Sequence, residues 1–393
     1  MKRTAQPQRS GIRRFSITTS VSLLLAVLVM VTFGATEYAR AQTFTILHTF
    51  SGSDGYQPLG NLVRDAAGNL YGTTRMGGDL RCGRVPGCGE VFVISNSGEG
   101  RELYDFRGGT DGKFPEAGLV RDPATGMLYG TTRSGGEHDL GTIFQLDRNG
   151  TKTILHSFSG EFEGQASTAR LLLQGGNLYG IAAYGGAFFF GSVYSLNLKT
   201  NEYKGVFMYF YQAAPVGGLT MGADANLYGS AAGAGGYGFI YKLTSHGDMA
   251  AVYTFVNGDV PLSPLVFDAA GNLYGTTWYG GLYSAGGVFK LDPSGVLTNL
   301  YTFTGGLDGG HPRSGVALDA DGNLYGSAEG GAGCGVVFKL DSSGQQTVLH
   351  TFDAQGSDGC MPNEVLLGAD GVLYGTTSTG GQFKAGTVFA ITP

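Results

Sequence analysis

His48, His156 and His350 are the first side chains to weigh, because imidazole is the commonest protein ligand for transition metals and a ready base near neutral pH. All three stand at one equivalent place in a repeating unit, where other units carry Tyr104, Tyr253 and Tyr301. A position that accepts His and Tyr alike speaks for packing or surface contact rather than a shared metal. His138 and His311 lie in glycine-rich loops and stay candidates for ligand contact. Asp54, Asp111, Asp308 and Asp358 each precede a glycine in the connections between units. Gathered around an axis, four such carboxylates could hold a central cation, and calcium is the one cofactor they would suit. Calcium takes six to eight oxygens. The run Asp319-Ala320-Asp321-Gly322 starts like a calcium loop but lacks the later ligands. Turn formation is the better reading of all these aspartates, and no other cofactor is expected.

The remaining chemistry is sparse. Cys82, Cys88, Cys334 and Cys360 lack the C-x-x-C spacing of zinc sites, and no G-x-S-x-G, P-loop or H-E-x-x-H pattern occurs. No catalytic residue can be assigned. What stands out is aromatic and basic content in the loops: Arg75, Arg133, Tyr184, Phe188, Phe189, Phe190, Trp278, Tyr279 and Tyr283, with Trp278 the sole tryptophan. Large rigid rings give contact area at low entropic cost. Arg75, Arg133, Tyr184, Trp278 and Tyr279 are the ligand-binding candidates. The competing reading is that these rings merely pack loop against loop.

The elements that must position these residues are periodic. Leu-Tyr-Gly recurs at Leu70, Leu128, Leu178, Leu227, Leu273, Leu324 and Leu373, with tyrosine-to-tyrosine steps of 58, 50, 49, 46, 51 and 49. A second landmark, an aromatic in a short β-type run, keeps time with it: Phe92, Phe144, Tyr194, Tyr241, Phe289, Phe338 and Phe389. A period near 50 residues marks a propeller or solenoid. Each unit holds four short apolar runs separated by turn chemistry. In the fifth unit these are Leu265-Val266-Phe267, Asn272 to Trp278, Gly287 to Leu291 and Leu300 to Phe303. Asp-x-x-Gly strings between runs suit hairpins. The chain therefore reads as all-β, one seven-bladed β-propeller over residues 42–393. A β-helix is the lesser alternative, since its rungs are shorter and lack repeated hairpins.

In chain order each unit supplies strands a (Leu-Val-x-Asp), b (Leu-Tyr-Gly), c (Val-Phe-Lys-Leu) and d (Leu-His-Thr-Phe). The last unit lacks its d strand. The orphan run Thr45 to Phe50 is expected to supply it and close the ring. Strand alternation sends Tyr and Gly of the tripeptide to opposite faces. Tyr is expected to fill the gap between blades, and Gly to admit the neighbouring blade. The a–b and c–d turns share one face. The longer, more variable b–c and d–a connections share the other, where function is expected.

The core "DAAGNLYGTT…GG" (Asp65 to Gly78, Asp268 to Gly281), the "G-x-V-F-K-L-D-x-x-G" run (Gly287 to Gly295, Gly335 to Gly344) and "LHTF…GSDG…P" (Leu349 to Pro362) resemble the GloVer-type tandem repeat of secreted bacterial proteins. The likeness covers nearly all of residues 42–393. Units three and four depart from it, with Gln174 to Asn177 in place of the Asp turn and no Ser-Asp-Gly loop between Tyr211 and Gly217. The resemblance implies export and repetition, with no established catalytic motif and no functional residues to carry over.

Composition agrees. Glycine is 70 of 393 residues, about 18% against a usual ~7%. Hydrophobic content of 42% is enough to bury a core, so the glycines must serve turns and close packing. A net charge of −6 with 14% charged residues argues against a nucleic-acid partner. Residues 1–41 read as a signal peptide: Lys2, Arg3, Arg9, Arg13 and Arg14, an apolar run from Val21 to Gly34, and Ala39-Arg40-Ala41 as the exit. Fourteen apolar residues fall short of the ~20 a membrane span needs. An uncleaved anchor is the rival reading. Cleavage near Ala41 would leave a secreted, monomeric chain with no membrane insertion.

In an exported chain four cysteines point to two disulfides, with three connectivities open. Loop placement favours Cys82–Cys88 and Cys334–Cys360. The functional expectation is a noncatalytic extracellular scaffold for a polysaccharide or cell-surface protein. The alternative is a propeller hydrolase or lyase with a cation or carboxylates at the channel mouth.

Overall fold

The computed structural model describes residues 42–393 apart from 84–85, 161–162, 166, 168, 186–189, 208–212, 234–237, 257 and 332. The expected signal segment, residues 1–41, lies outside the described residues, as do Phe188 and Phe189. Seven antiparallel sheets form the ring of a seven-bladed β-propeller. In the fifth blade strand a is Val266–Phe267, b Leu273–Thr277, c Gly287–Leu291 and d Leu297–Thr302. The seventh is built from Leu366–Leu367, Leu373–Thr379 and Thr387–Thr392, with Thr43–Thr49 as its d strand. Phe44 pairs with Ile391, Ile46 with Phe389 and Thr49 with Thr387. The first strand of the fold thus closes the ring, as expected.

The recurring string works as a hydrogen-bonded unit. Asp268 Oδ1 accepts from the backbone N–H of Ala270 (2.9 Å) and Asn272 (2.8 Å), while Oδ2 accepts from Asn272 Nδ2 (2.6 Å) and the Tyr274 hydroxyl (3.0 Å). Asp65 and Asp319 repeat this set with Asn69, Tyr71, Asn323 and Tyr325. Gly271, at φ 86°, lets the chain reverse. Burial would raise the Asp268 carboxyl, but the bonds from Asn272 and Tyr274 outweigh it and hold it below its ordinary value. Burial, reinforced by Asp268, pushes the Tyr274 phenol up to about 12. The third blade does without the aspartate: Gly175 and Gly176, both at positive φ, make a two-residue hairpin.

Tyr of the tripeptide packs toward the next blade, as expected: Tyr274 lies on the core around Phe338 and Leu324, and Tyr374 on that around Phe92. The expectation for Gly requires correction. Gly275 pairs across the sheet with Phe289, and Gly326 with Phe338, in the same blade. A Cβ on Gly275 would come 2.8 Å from the Phe289 ring and 2.8 Å from Leu265; on Gly326 it would lie 2.6 Å from the Phe338 ring. Gly therefore admits not the neighbouring blade but the aromatic of its own strand c. The two sequence landmarks are cross-strand partners. In six blades that ring receives the phenylalanine that ends the preceding blade's strand d, edge to face: Phe50 on Phe92, Phe106 on Phe144, Phe158 on Tyr194, Phe255 on Phe289, Phe303 on Phe338 and Phe352 on Phe389, with centroids 5.1–5.4 Å apart.

Candidate functional site at the channel mouth

One end of the channel opens as a cavity of about 720 Å³ to which all seven blades contribute. Two stretches per blade build it: the end of strand b and the segment entering strand a. Within Leu-Tyr-Gly-x-x-Z the fourth and fifth positions are small, buried Thr, Ser, Ala or Ile. The sixth, Z, is the first residue past them and varies from blade to blade: Arg75, Arg133, Ala183, Ala232, Trp278, Glu329 and Ser378. Arg75, Ala183, Trp278, Glu329 and Ser378 line the cavity.

The entering segments are held under backbone strain. Gln57, Phe114, His311 and Met361, each just before a proline, have φ of 57°, 59°, 54° and 59°. That left-handed region is uncommon for residues with a side chain, and proline disfavours it further for the residue before it. A hydrogen bond to the preceding blade fixes each one: Gln57 N to Ala385 O (3.0 Å), Phe114 N to Cys88 O (2.8 Å), His311 N to Ala285 O (2.7 Å) and Met361 N to Cys334 O (2.8 Å). The disulfide Cys334–Cys360 spans one of these junctions covalently, and Cys82–Cys88 closes the loop that carries the Cys88 carbonyl. Both pairings match the expected connectivity.

Charge at the mouth is organised in arginine–glutamate groups. Glu116 Oε1 accepts from Arg75 Nε at 2.8 Å and Arg133 Nη1 at 3.0 Å. Arg170 Nη1 reaches Glu364 at 3.3 Å, and Arg313 Nε reaches Glu329 at 3.1 Å. Burial holds the Glu329 carboxyl above its ordinary value, partly offset by Arg313 and His311. The Arg313 guanidinium lies over the Trp278 ring, 4.6 Å from its centroid, and Tyr279 packs on the same indole at 4.3 Å. His311 Nδ1 donates to the Trp278 carbonyl at 3.1 Å. The Trp278 Nε1–H has no acceptor among the described residues.

Of the residues singled out from sequence, Arg75, Tyr184 and Trp278 line the cavity, Arg133 reaches it through Glu116, and Tyr279 stacks beside Trp278. Glu116, Arg170, Arg313, Glu329 and Glu364 escaped that reading. Their signal was positional: they occupy the few places that vary inside an otherwise constant repeat.

The four loop aspartates are not brought together. Asp54 accepts from His48 (3.0 Å), Asp111 from Tyr104 (2.6 Å), Asp308 from Tyr301 (2.9 Å) and Asp358 from His350 (2.8 Å), each beside its own strand d, away from the channel. Glu163 meets His156 likewise at 3.2 Å. The His/Tyr position thus asks for one N–H or O–H donor, which both residue types supply, and each aspartate locks its own turn, as the preferred sequence reading has it, rather than joining the alternative ring around a cation. His138 is exposed on its loop.

Among the described residues the one group of metal-type side chains is Glu90, Glu102 and Asp105 in the first blade. No other blade is acidic at Glu90's place, where Thr142, Ser192, Phe239, Gly287, Val336 and Thr387 stand; Thr142 pairs with Ser157, Phe239 with Thr254, Gly287 with Thr302 and Val336 with Thr351. Glu90 is 1% exposed, and burial together with Asp105 and Glu102 holds its carboxyl well above the usual range. A raised folded value means stability is full below the ordinary carboxylate range and is lost as pH rises through the raised value. Glu90→Gln should therefore raise stability at pH 8 by about 1–3 kcal/mol, with little change near pH 4. Melting curves of both proteins across that range check this; parallel curves would refute it.

A family model described as the Gloeobacter/Verrucomicrobia repeat matches residues 35–236 and 215–393. The chain belongs to the Gloeobacter/Verrucomicrobia repeat family. No curated protein matches it. This repeat-family propeller is similar in fold to several solved structures. One is the extracellular domain of a putative one-component system from B. thetaiotaomicron, at 12% identity and TM-score 0.56, covering 88% of this chain. The chain spans 39% of that protein's length. A second is an oligogalacturonate lyase in complex with manganese, at 12% identity and TM-score 0.58, covering 90% of this chain and 94% of the other. A third lies in the mitotic checkpoint complex, at 13% identity and TM-score 0.57, covering 99% and 98%. At such identities the likeness is one of fold alone.

Proposed function

We propose that this repeat-family propeller is an exported, noncatalytic binding scaffold whose channel mouth takes an extracellular polysaccharide or cell-surface protein. The observation that carries the reading is the variable sixth position of strand b. Seven blades repeat one structural sequence, yet at this place they carry Arg, Arg, Ala, Ala, Trp, Glu and Ser, and Arg75, Ala183, Trp278, Glu329 and Ser378 among them line one opening. Variation at a shared mouth on a repeated frame is how a scaffold builds an asymmetric recognition surface. Each mouth glutamate is tied to arginine, which suits positioning rather than proton transfer. The signal-like N-terminal segment and two disulfides support export, since disulfides persist in oxidising compartments.

Binding on an array of extracellular glycans, with Trp278→Ala as the comparison, tests this. Loss of the Trp278 platform should weaken binding at least ~10-fold, as expected for a central aromatic contact of about 1.4 kcal/mol or more. Equal binding by the variant would refute the site. One observation favours a second reading, a hydrolase or lyase: Glu329, with its raised carboxyl, sits at the mouth with Arg313 and His311. In that case Glu329→Gln would abolish turnover of a bound glycan while leaving its binding intact.

A further inference from the structure

We infer that the ligand taken at the mouth is an anionic polysaccharide, gripped through carboxylate or sulfate groups by arginines that the mouth's glutamates hold in place. This rests on the binding reading above and names its ligand class.

In every ion pair at the mouth the glutamate is the more buried partner. Glu116 is 12% exposed against 33% and 41% for Arg75 and Arg133; Glu364 is 23% against 37% for Arg170; Glu329 is 22% against 55% for Arg313. The glutamates form the backing and the guanidiniums the face presented to solvent. Four arginines answer three glutamates, because Arg75 and Arg133 share Glu116, which leaves the group at +1 within a chain of net −6. The local sign is therefore no by-product of a basic protein.

Guanidinium geometry completes the case. Each Arg–Glu pair engages one guanidinium nitrogen, Nε or Nη1. Guanidinium carries five N–H donors in a planar fork, so donors remain for a second oxyanion, and that fork matches carboxylate and sulfate oxygens. Trp278 lines the opening with Arg313 over its ring, so apolar surface for a sugar stands directly beside a guanidinium. Arginines from blades one, two, three and six ring the opening, so a polymer that repeats its anionic group can be met at several points at once.

The purified chain should be run by affinity electrophoresis through gels containing alginate, alginate propylene glycol ester, dextran sulfate or neutral dextran. Retardation by alginate or dextran sulfate is expected, with none by dextran, and esterification should weaken alginate binding at least ~10-fold. Arg170→Gln and Arg313→Gln should each weaken retention at least ~5-fold with unchanged melting temperature, which separates recognition from a structural role. Which of the two anionic polymers binds identifies the charged group. Equal retardation by the ester or by dextran would overturn the anionic inference and leave the binding reading standing. No retardation by any polymer, together with a glycan array hit sensitive to Trp278→Ala, would also overturn the inference alone; failure of both would remove the two together.

Discussion

Removal of residues 42–50 is expected to abolish cooperative folding of the propeller or to lower its stability by more than about 5 kcal/mol, comparable to a typical domain's whole stability of roughly 5–15 kcal/mol. The deletion takes away the seventh blade's entire d strand, with pairs from Thr43–Thr392 to Thr49–Thr387. Each ladder hydrogen bond contributes about 0.5–1.5 kcal/mol net. It also removes Phe50, fully buried against Phe92 of the first blade, whose loss alone costs about 3–5 kcal/mol by truncation. Phe44 goes too; its ring stacks on His350 with centroids 3.7 Å apart and touches Phe352 and Phe389. Strand c of the last blade would be left as an unpaired edge, an aggregation hazard. Heat or denaturant unfolding followed by near-ultraviolet circular dichroism measures this. A shortened chain that melts where the parent does would show that closure contributes nothing.

Gly275→Leu should rank next, at about 3 kcal/mol or more of destabilisation. Its Cβ would meet two apolar groups of the same blade, the Phe289 ring and Leu265, both inside normal contact distance. Neither can retreat freely, since Phe289 is 3% exposed and packs on Phe255 of the preceding blade, centroids 5.2 Å apart. A second substitution tests the mechanism. Phe289→Ala by itself leaves a cavity and costs about 3–5 kcal/mol, yet with Gly275→Leu the new side chain can occupy the vacated space. The double variant should therefore be more stable than the sum of the two losses by at least about 1 kcal/mol. Strict additivity would mean that the glycine faces something other than its own strand c.

Particular residues show how far the chain could be read without coordinates. The blade count, the a-to-d order, the closing strand and the two disulfides were legible because each rests on a local pattern repeated seven times or on loop bookkeeping along the chain. The role of glycine in Leu-Tyr-Gly was misassigned because register across the sheet pairs Gly275 with Phe289, fourteen residues away, and spacing alone does not state which residues face each other. The aspartates read better as turn formers than as cation ligands, but their spacing does not name their partners. Asp54 and Asp308 look alike as Asp-Gly pairs, and only the fold shows each one meeting the His or Tyr of its own strand d.

By itself, then, the sequence determined that this is an all-β ring of seven blades with variable loops on one face, since hairpin chemistry and strand period act over a few residues. Tertiary structure alone decided the mouth. Arg75 meets Glu116 forty-one residues on, and Arg170 meets Glu364 across 194 residues, pairings that exist because the circle brings distant blades to a common axis.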